Sequence, residues 1–172
     1  HDNIDSSLAK RMCSNIVNEI NDEIDGLDQE IEKIVLNTPE IKHEVDIMTS
    51  MPGIGIATAV ALLGELGTLK NYPTRQKITA MCGLNPVRKQ SGISVNSTRL
   101  SKKGSPVVRR FLYMCSKTAV PSIPVLQDLY DRLLVKGNTR MQARCAVMRK
   151  MLLILRGMVI ADKKYDKNFK KN

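Results

Sequence analysis

A mainly α-helical fold is predicted by three features of the sequence. These are an apolar repeat at steps of three and four near the start, a closing stretch apolar on two stripes at helical spacing, and Pro and Gly punctuation between them. From Ser6 to about Leu36, Val17, Ile20, Ile24, Leu27, Ile31 and Ile34 recur at the spacing that draws one seam along a helix, a coiled-coil-like pattern. About thirty helical residues extend roughly 45 Å, longer than a small core covers, so a helix from a second copy is expected on the seam. Glu19, Asp22, Glu23, Asp25, Asp28, Glu30 and Glu32 on the other faces read as a solvated surface. Gly26 weakens this helix by about 1 kcal/mol relative to Ala.

After Thr38-Pro39 a shorter helix is predicted to Thr49, followed by 50-SMPGIGIATAVALLGELG-67. Gly53, Ile54, Gly55 and Ala59 fit the pattern of a helix-hairpin-helix spanning residues 48–67. That motif needs glycines because its backbone must turn sharply and bring amides close to a phosphate at the positive start of the next helix. A plain helix-to-helix turn uses the same glycines, and Ile56, Ala57 and Thr58 add no positive side chain, so both readings stand.

A loop at Asn71-Tyr72-Pro73 leads to a helix near 74–82 that 83-GLNP-86 terminates. Residues 87–104 lack helical periodicity and read as a loop with one short hairpin through Ile93 and Val95. Ser105 and Pro106 form an N-cap and first-turn pair opening a helix to about Ala119. Pro121 and Pro124 then break the chain before 125-VLQDLYDRLLVK-136, which Gly137 closes. The helix from about Thr139 to Ala161 carries Cys145, Met148, Leu152, Leu155 and Val159 on one stripe, with Val147, Met151, Ile154 and Met158 on a second. Apolar around so much of its circumference, it reads as the central core helix. The polar, basic segment 162–172 is expected to be disordered.

Charge divides the chain. Residues 1–50 hold 12 acidic and 4 basic side chains, a net −8, whereas residues 51–172 hold 5 and 23, a net +18. A segment so charged attracts polyanions, which puts nucleic acid first among partners and an anionic membrane surface second. Aromatic residues make up 3% and Trp is absent, so stacking on unpaired bases is disfavoured relative to contact with duplex phosphates. The run 151-MLLILRGMVIA-161 is interrupted by Arg156 and falls short of the roughly 18 apolar residues of a membrane span. Cys13, Cys82, Cys115 and Cys145 are widely spaced, with only His1 and His43 as nitrogen ligands, so neither a zinc site nor a disulfide framework is indicated; buried free thiols in a reducing cytoplasm are expected.

The chemistry narrows by residue type. Metal-dependent strand transfer needs converging carboxylates, yet beyond residue 50 the only acids are Glu65, Asp128, Asp131, Asp162 and Asp166. A tyrosine recombinase needs a histidine among its arginines, and His43 lies on the acidic side of the chain; Tyr72, Tyr113, Tyr130 and Tyr165 read as half-buried packing residues. What remains is serine. In 88-RKQSGIS-94, Ser91 sits among cations with almost no acid nearby, and Arg88, Lys89, Arg99, Lys102, Lys103, Arg109 and Arg110 are the candidates for nucleic-acid contact. By spacing alone Ser91 is equally a turn residue, and Ser94, Ser97, Ser101 and Ser105 are equally available.

Taken together, 52-PGIGIATAVALLGELG-67, 82-CGLNPVRKQSG-92, 99-RLSKKGSPVVRRFLY-113 and the closing basic-apolar helix resemble the C-terminal domain of the "IS one-ten" family of insertion-sequence transposases, relatives of the Piv-type DNA invertases. The resemblance covers about residues 50–160. It implies residues 1–38 as part of a coiled-coil arm, 39–161 as the C-terminal transposase domain and 162–172 as a tail. It further implies a RuvC-like magnesium-binding domain outside this chain, and Ser91 as the nucleophile. Recombinase dimers or tetramers, a DNA substrate and a guiding bridge RNA follow from the same likeness, as does a bacterial or archaeal cytoplasm. On this reading the chain is a fragment inactive alone, holding no cofactor of its own. The alternative is a non-catalytic helix-hairpin-helix module that binds DNA or RNA.

Overall fold

The computed structural model describes residues 2–89, 97–101 and 103–167, with side chains for 7–86, 100–101 and 103–167. It is mainly helical. In order come α1 (Asp2–Asn37), α2 (Pro39–Thr49), α3 (Ile56–Leu66), a 3-10 turn (Leu69–Asn71), α4 (Arg75–Met81), strands β1 (Pro86–Lys89) and β2 (Ser97–Leu100), α5 (Pro106–Ser122), α6 (Pro124–Val135) and α7 (Arg140–Ala161). The chain divides into two compact units, His1–Lys42 and His43–Asn172, the boundary falling inside α2.

In the first unit the 36 residues of α1 extend about 54 Å at the helical rise. Val17, Ile20, Ile24, Leu27 and Ile34 are each 48–61% exposed, so the predicted seam is present on the helix. Cys13 is exposed on α1, which corrects the expectation that all four thiols are buried; Cys82 and Cys115 are buried and Cys145 is half-buried.

In the second unit α7 is the hub, packing against α4, α5, α6 and the 3-10 turn, while α5 also packs on α3 and α6. Both of its stripes are used, with Val147, Met148, Met151, Leu152, Leu155, Met158 and Val159 buried. Thr139 caps it through a reciprocal box: the hydroxyl accepts from the Gln142 amide at 3.3 Å, and the Gln142 side chain accepts from the Thr139 amide at 2.8 Å. Arg156, the charge that interrupts the apolar run, donates through Nε and Nη2 to the Tyr72 carbonyl at 3.0 and 2.6 Å. A guanidinium half-buried in a core helix is stable there because those bonds replace its water.

Two expectations about segment ends are corrected. Pro121 lies inside the last turn of α5 rather than beyond it, where the missing amide removes only one late intrahelical bond. Residues 162–167 of the tail are held: the Lys163 amide donates to the Met158 carbonyl at 3.0 Å and the Tyr165 amide to Ser50 Oγ at 2.8 Å. Residues 168–172 lie outside the described residues.

Candidate nucleic-acid interface

A hairpin is present across the predicted 87–104 segment, while the expectation that it runs through Ile93 and Val95 falls outside the described residues. β1 and β2 pair antiparallel, Pro86 opposite Leu100, Val87 opposite Arg99, Arg88 opposite Thr98 and Lys89 opposite Ser97. Arg88, Lys89 and Arg99 thus occupy ladder positions. Ser91 falls in the segment 90–96 that joins the strands, and it and Lys102 lie outside the described residues, as do Ile93, Ser94 and Val95.

The hairpin's base is stapled between the end of α4 and the start of α5. The Ser101 amide donates to the Asn85 carbonyl at 2.9 Å, the Ser105 amide to the Met81 carbonyl at 3.0 Å, and Cys82 bridges Gly104. Thr79, fully buried on α4, donates its hydroxyl to Asn85 Oδ1 at 2.6 Å and so fixes the loop leading into β1. Only glycine fits at 104. Its φ is +143°, and a Cβ would collide with the Met81 carbonyl oxygen and stand 2.7 Å from the Gly83 nitrogen.

Arg109 belongs to this staple. Its Nη1 donates to the carbonyls of Gly104 at 2.9 Å and Cys82 at 3.2 Å, so one of the seven basic candidates holds the hairpin base in place. Burial pushes the Cys82 thiol up to about 12, partly opposed by the Arg109 charge, leaving it protonated and unreactive at neutral pH. Lys103 and Arg110 are exposed on either side of the Ser105 cap. Ser105 Oγ both accepts from the Val108 amide at 3.2 Å and donates to Glu65 Oε2 at 2.6 Å, tying α3 to the start of α5.

The glycine turn after α2 divides its two candidate residues. Gly53, at φ +89°, lies against α5, where a Cβ would stand 3.0 Å from the Cys115 carbonyl oxygen and 3.1 Å from the Ala119 nitrogen. Close helix packing therefore accounts for that glycine. Gly55 is the exposed N-cap of α3, with ordinary φ of −92°, no side-chain cap and nothing within 4 Å of where a Cβ would stand. Sequence reasoning could not separate the two, because the approach of α5 is a tertiary fact.

Three of the acids in the second unit are committed locally. Glu44 accepts from Thr68 Oγ1 at 3.0 Å and the Leu69 amide at 3.1 Å, Glu65 from Ser105, and Asp162 lies 2.7 Å from His43 Nε2. Among the described residues no three His, Cys, Asp or Glu side chains come together, so these residues do not fit a magnesium cage. No described helix is long and apolar enough to cross a membrane.

Sequence reasoning overlooked a second basic cluster. Arg140 and Arg144 on α7 meet Tyr113 of α5 and Tyr130 of α6, both half-buried as expected of packing residues. The available signal was Arg140 and Arg144 at i and i+4 on one helix face.

A strongly basic helical unit thus clamps a hairpin between two helix ends, with Glu44, Glu65 and Asp162 held by local partners. Comparison with known proteins identifies the family. A profile of the transposase IS116/IS110/IS902 family matches residues 45–131, and the chain belongs to that family. It is 28% identical over 164 residues to the pilin gene-inverting protein of Moraxella bovis, covering 94% of this chain and 51% of that protein. It is 29% identical over 113 residues to the insertion element IS110 uncharacterized 43.6 kDa protein of Streptomyces coelicolor, covering 66% and 28%. It is 32% identical over 89 residues to the transposase for insertion sequence element IS1328 of Yersinia enterocolitica, covering 52% and 27%. The chain spans about half the length of the pilin gene-inverting proteins it matches.

Proposed function

We propose that this chain is the C-terminal part of a DNA transposase or invertase, acting in a bacterial or archaeal cytoplasm, and that Ser91 is its nucleophile. The observation that carries the reading is the basic hairpin stapled between α4 and α5 in a chain of this transposase family, with Ser91 in the segment joining its strands. Ser91 Oγ attacks a DNA phosphorus. The bond to the deoxyribose oxygen breaks, that oxygen leaves with a proton, and the strand end is held as a phosphoserine ester. Attack by a second strand's hydroxyl reverses the step, so the ester carries the bond energy from one junction to the next. Serine needs a base and a stabiliser for the developing charge. Arg88, Lys89, Arg99, Lys102, Lys103 and Arg110 are the proposed phosphate contacts, while Arg109 positions the hairpin. Magnesium belongs to a RuvC-like domain outside this chain. The α1 seam is proposed to pair with a second copy, giving dimers or tetramers, and a guide RNA to select the DNA.

The test is covalent trapping with the full-length parent protein and cognate nucleic acids. A protein–DNA adduct lost in Ser91→Ala, and kept when Ser94 or Ser97 is changed, supports the assignment. An adduct that survives Ser91→Ala removes it. A second reading, a helix-hairpin-helix module without chemistry, is favoured by the uncapped, exposed start of α3 behind Gly55, where free amides could receive a phosphate. That reading requires duplex binding with no adduct under conditions that support recombination.

A further inference from the structure

We propose that the recess where α5, α6 and α7 meet is a docking point for a backbone phosphodiester, reached by a basic track along α5. The inference rests on the nucleic-acid-handling reading above and does not depend on Ser91. Tyr113, Tyr130, Arg140, Met141 and Arg144 line an open space of about 180 Å³. That is small beside the roughly 300–1,000 Å³ of pockets that enclose a whole cofactor, so a compact group is the fitting occupant.

The lining selects the sign of that group. The Arg144 guanidinium carbon lies 5.4 Å from the Tyr130 ring centroid and 5.9 Å from that of Tyr113, and Lys117 Nζ stands 5.2 Å over Tyr113. Two rings and a 3.4 Å bond from Nη1 to Ser116 Oγ hold the guanidinium in one orientation, which lowers the ordering cost of using its other N–H groups. Among the described residues those N–H groups have no partner, and no carboxylate pairs with Arg140, Arg144 or Lys117. The start of the 22-residue α7 is at the same place. The Thr139 hydroxyl takes the Gln142 amide there and leaves those of Arg140 and Met141 open. Two uncompensated guanidiniums, a lysine and the positive end of the hub helix form a receptor for an anion with several acceptor oxygens.

The track connects this receptor to the hairpin base. Arg110, Tyr113 and Lys117 are spaced i, i+3 and i+7, one face of α5, and Arg110 and Lys117 are exposed, as is Lys103 before the cap. From Arg110 to Lys117 the helix rises about 10 Å, a length of duplex axis along which each strand carries roughly three phosphates. A polymer of phosphodiesters, rather than a free anion, matches cations laid out in a line.

The test measures binding of this chain to duplex DNA, and separately to a folded RNA of similar length, by fluorescence anisotropy between about 50 and 200 mM salt. Arg140→Gln and Arg144→Gln are compared with Lys164→Gln, an exposed lysine far along the chain from the recess. Each recess variant is expected to make the salt slope shallower by about 0.9 for duplex, or about 0.7 for single strands, and to weaken duplex binding about eightfold near 0.1 M. Loss with DNA, with RNA or with both supports the docking point and assigns the polymer. Slopes and affinities equal to those of Lys164→Gln with both polymers overturn it. Arg144 packs on two rings, so the exposed Arg140 carries the decision if Arg144→Gln melts early. A surviving adduct in Ser91→Ala with a shallower slope in Arg140→Gln would remove the nucleophile and keep the recess; the converse pair of results would do the opposite.

Discussion

Replacing Gly104 by Ala strikes the staple at its narrowest point. The new Cβ would collide with the Met81 carbonyl oxygen and stand 2.7 Å from both the Met81 carbonyl carbon and the Gly83 nitrogen, all backbone atoms that cannot rotate aside. Holding a non-glycine residue at φ +143° costs about 1–3 kcal/mol, and relieving the overlap costs about 1–3 kcal/mol more. The sum is about 4 kcal/mol, a large share of the roughly 5–15 kcal/mol that holds a domain folded. It corresponds to about 8–16 °C in Tm for a chain of this size. Relief by movement of the 104 backbone also draws the Ser105 amide from the Met81 carbonyl and the Gly104 carbonyl from Arg109. The assay is urea unfolding followed by far-UV circular dichroism, with a thermal melt in parallel. Gly55→Ala is the control: φ is −92°, nothing lies within 4 Å, and the loss is about 1 kcal/mol. A Gly104→Ala chain within about 0.5 kcal/mol of its parent would refute the staple as the reason for that glycine.

Three further outcomes follow from the same geometry. Thr139→Ala removes the hydroxyl half of the α7 box and is expected to cost about 1–2 kcal/mol in urea unfolding, with Thr139→Ser restoring most of it. The hydrogen bond to His43 holds the Asp162 carboxyl below its ordinary 3.8, so its contribution is present above that pH and is lost as pH falls through the lower folded value. Melting temperatures measured through that acid range should fall less steeply in Asp162→Asn than in the parent. Thiol labelling at pH 8 should modify Cys13 at once, whereas Cys82, pushed up to about 12 by burial, should label only when denaturant opens the fold.

The helices were legible because their signals are local. The apolar stripes of α7, the Ser105 cap with Pro106 behind it and the seam of α1 each depend on residues within a few turns of one another. What escaped depends on approach between distant segments. Arg109 reads as one more cation beside Arg110, and only the arrival of the Cys82 and Gly104 carbonyls makes it a strut. Gly53 and Gly55 look equivalent in sequence, until α5 closes on one and leaves the other open. Tyr165 sits in a polar segment whose composition suggests no fold, and a hydrogen bond from its amide to Ser50 Oγ holds it. Pro121 reads as a break, yet the last turn of a helix tolerates what its middle does not. The recess was hidden for the same reason: Tyr113, Tyr130 and Arg144 come from three helices that meet only in the folded unit.

That α7 is the hub also sets a schedule for synthesis. Helices α4 to α6 leave the ribosome before the helix they pack on, and the buried face of α5 has no α7 to cover it until residues near Val159 emerge. At about 5–20 residues per second, the interval from the start of α3 to the end of α7 is roughly 5–20 s. During that time Leu112 and Leu126 lack the cover that α7 gives their helices, although both finish buried. The second unit therefore matures after translation of its own length, and a message that stalls before α7 yields a sticky set of helices rather than a smaller working protein.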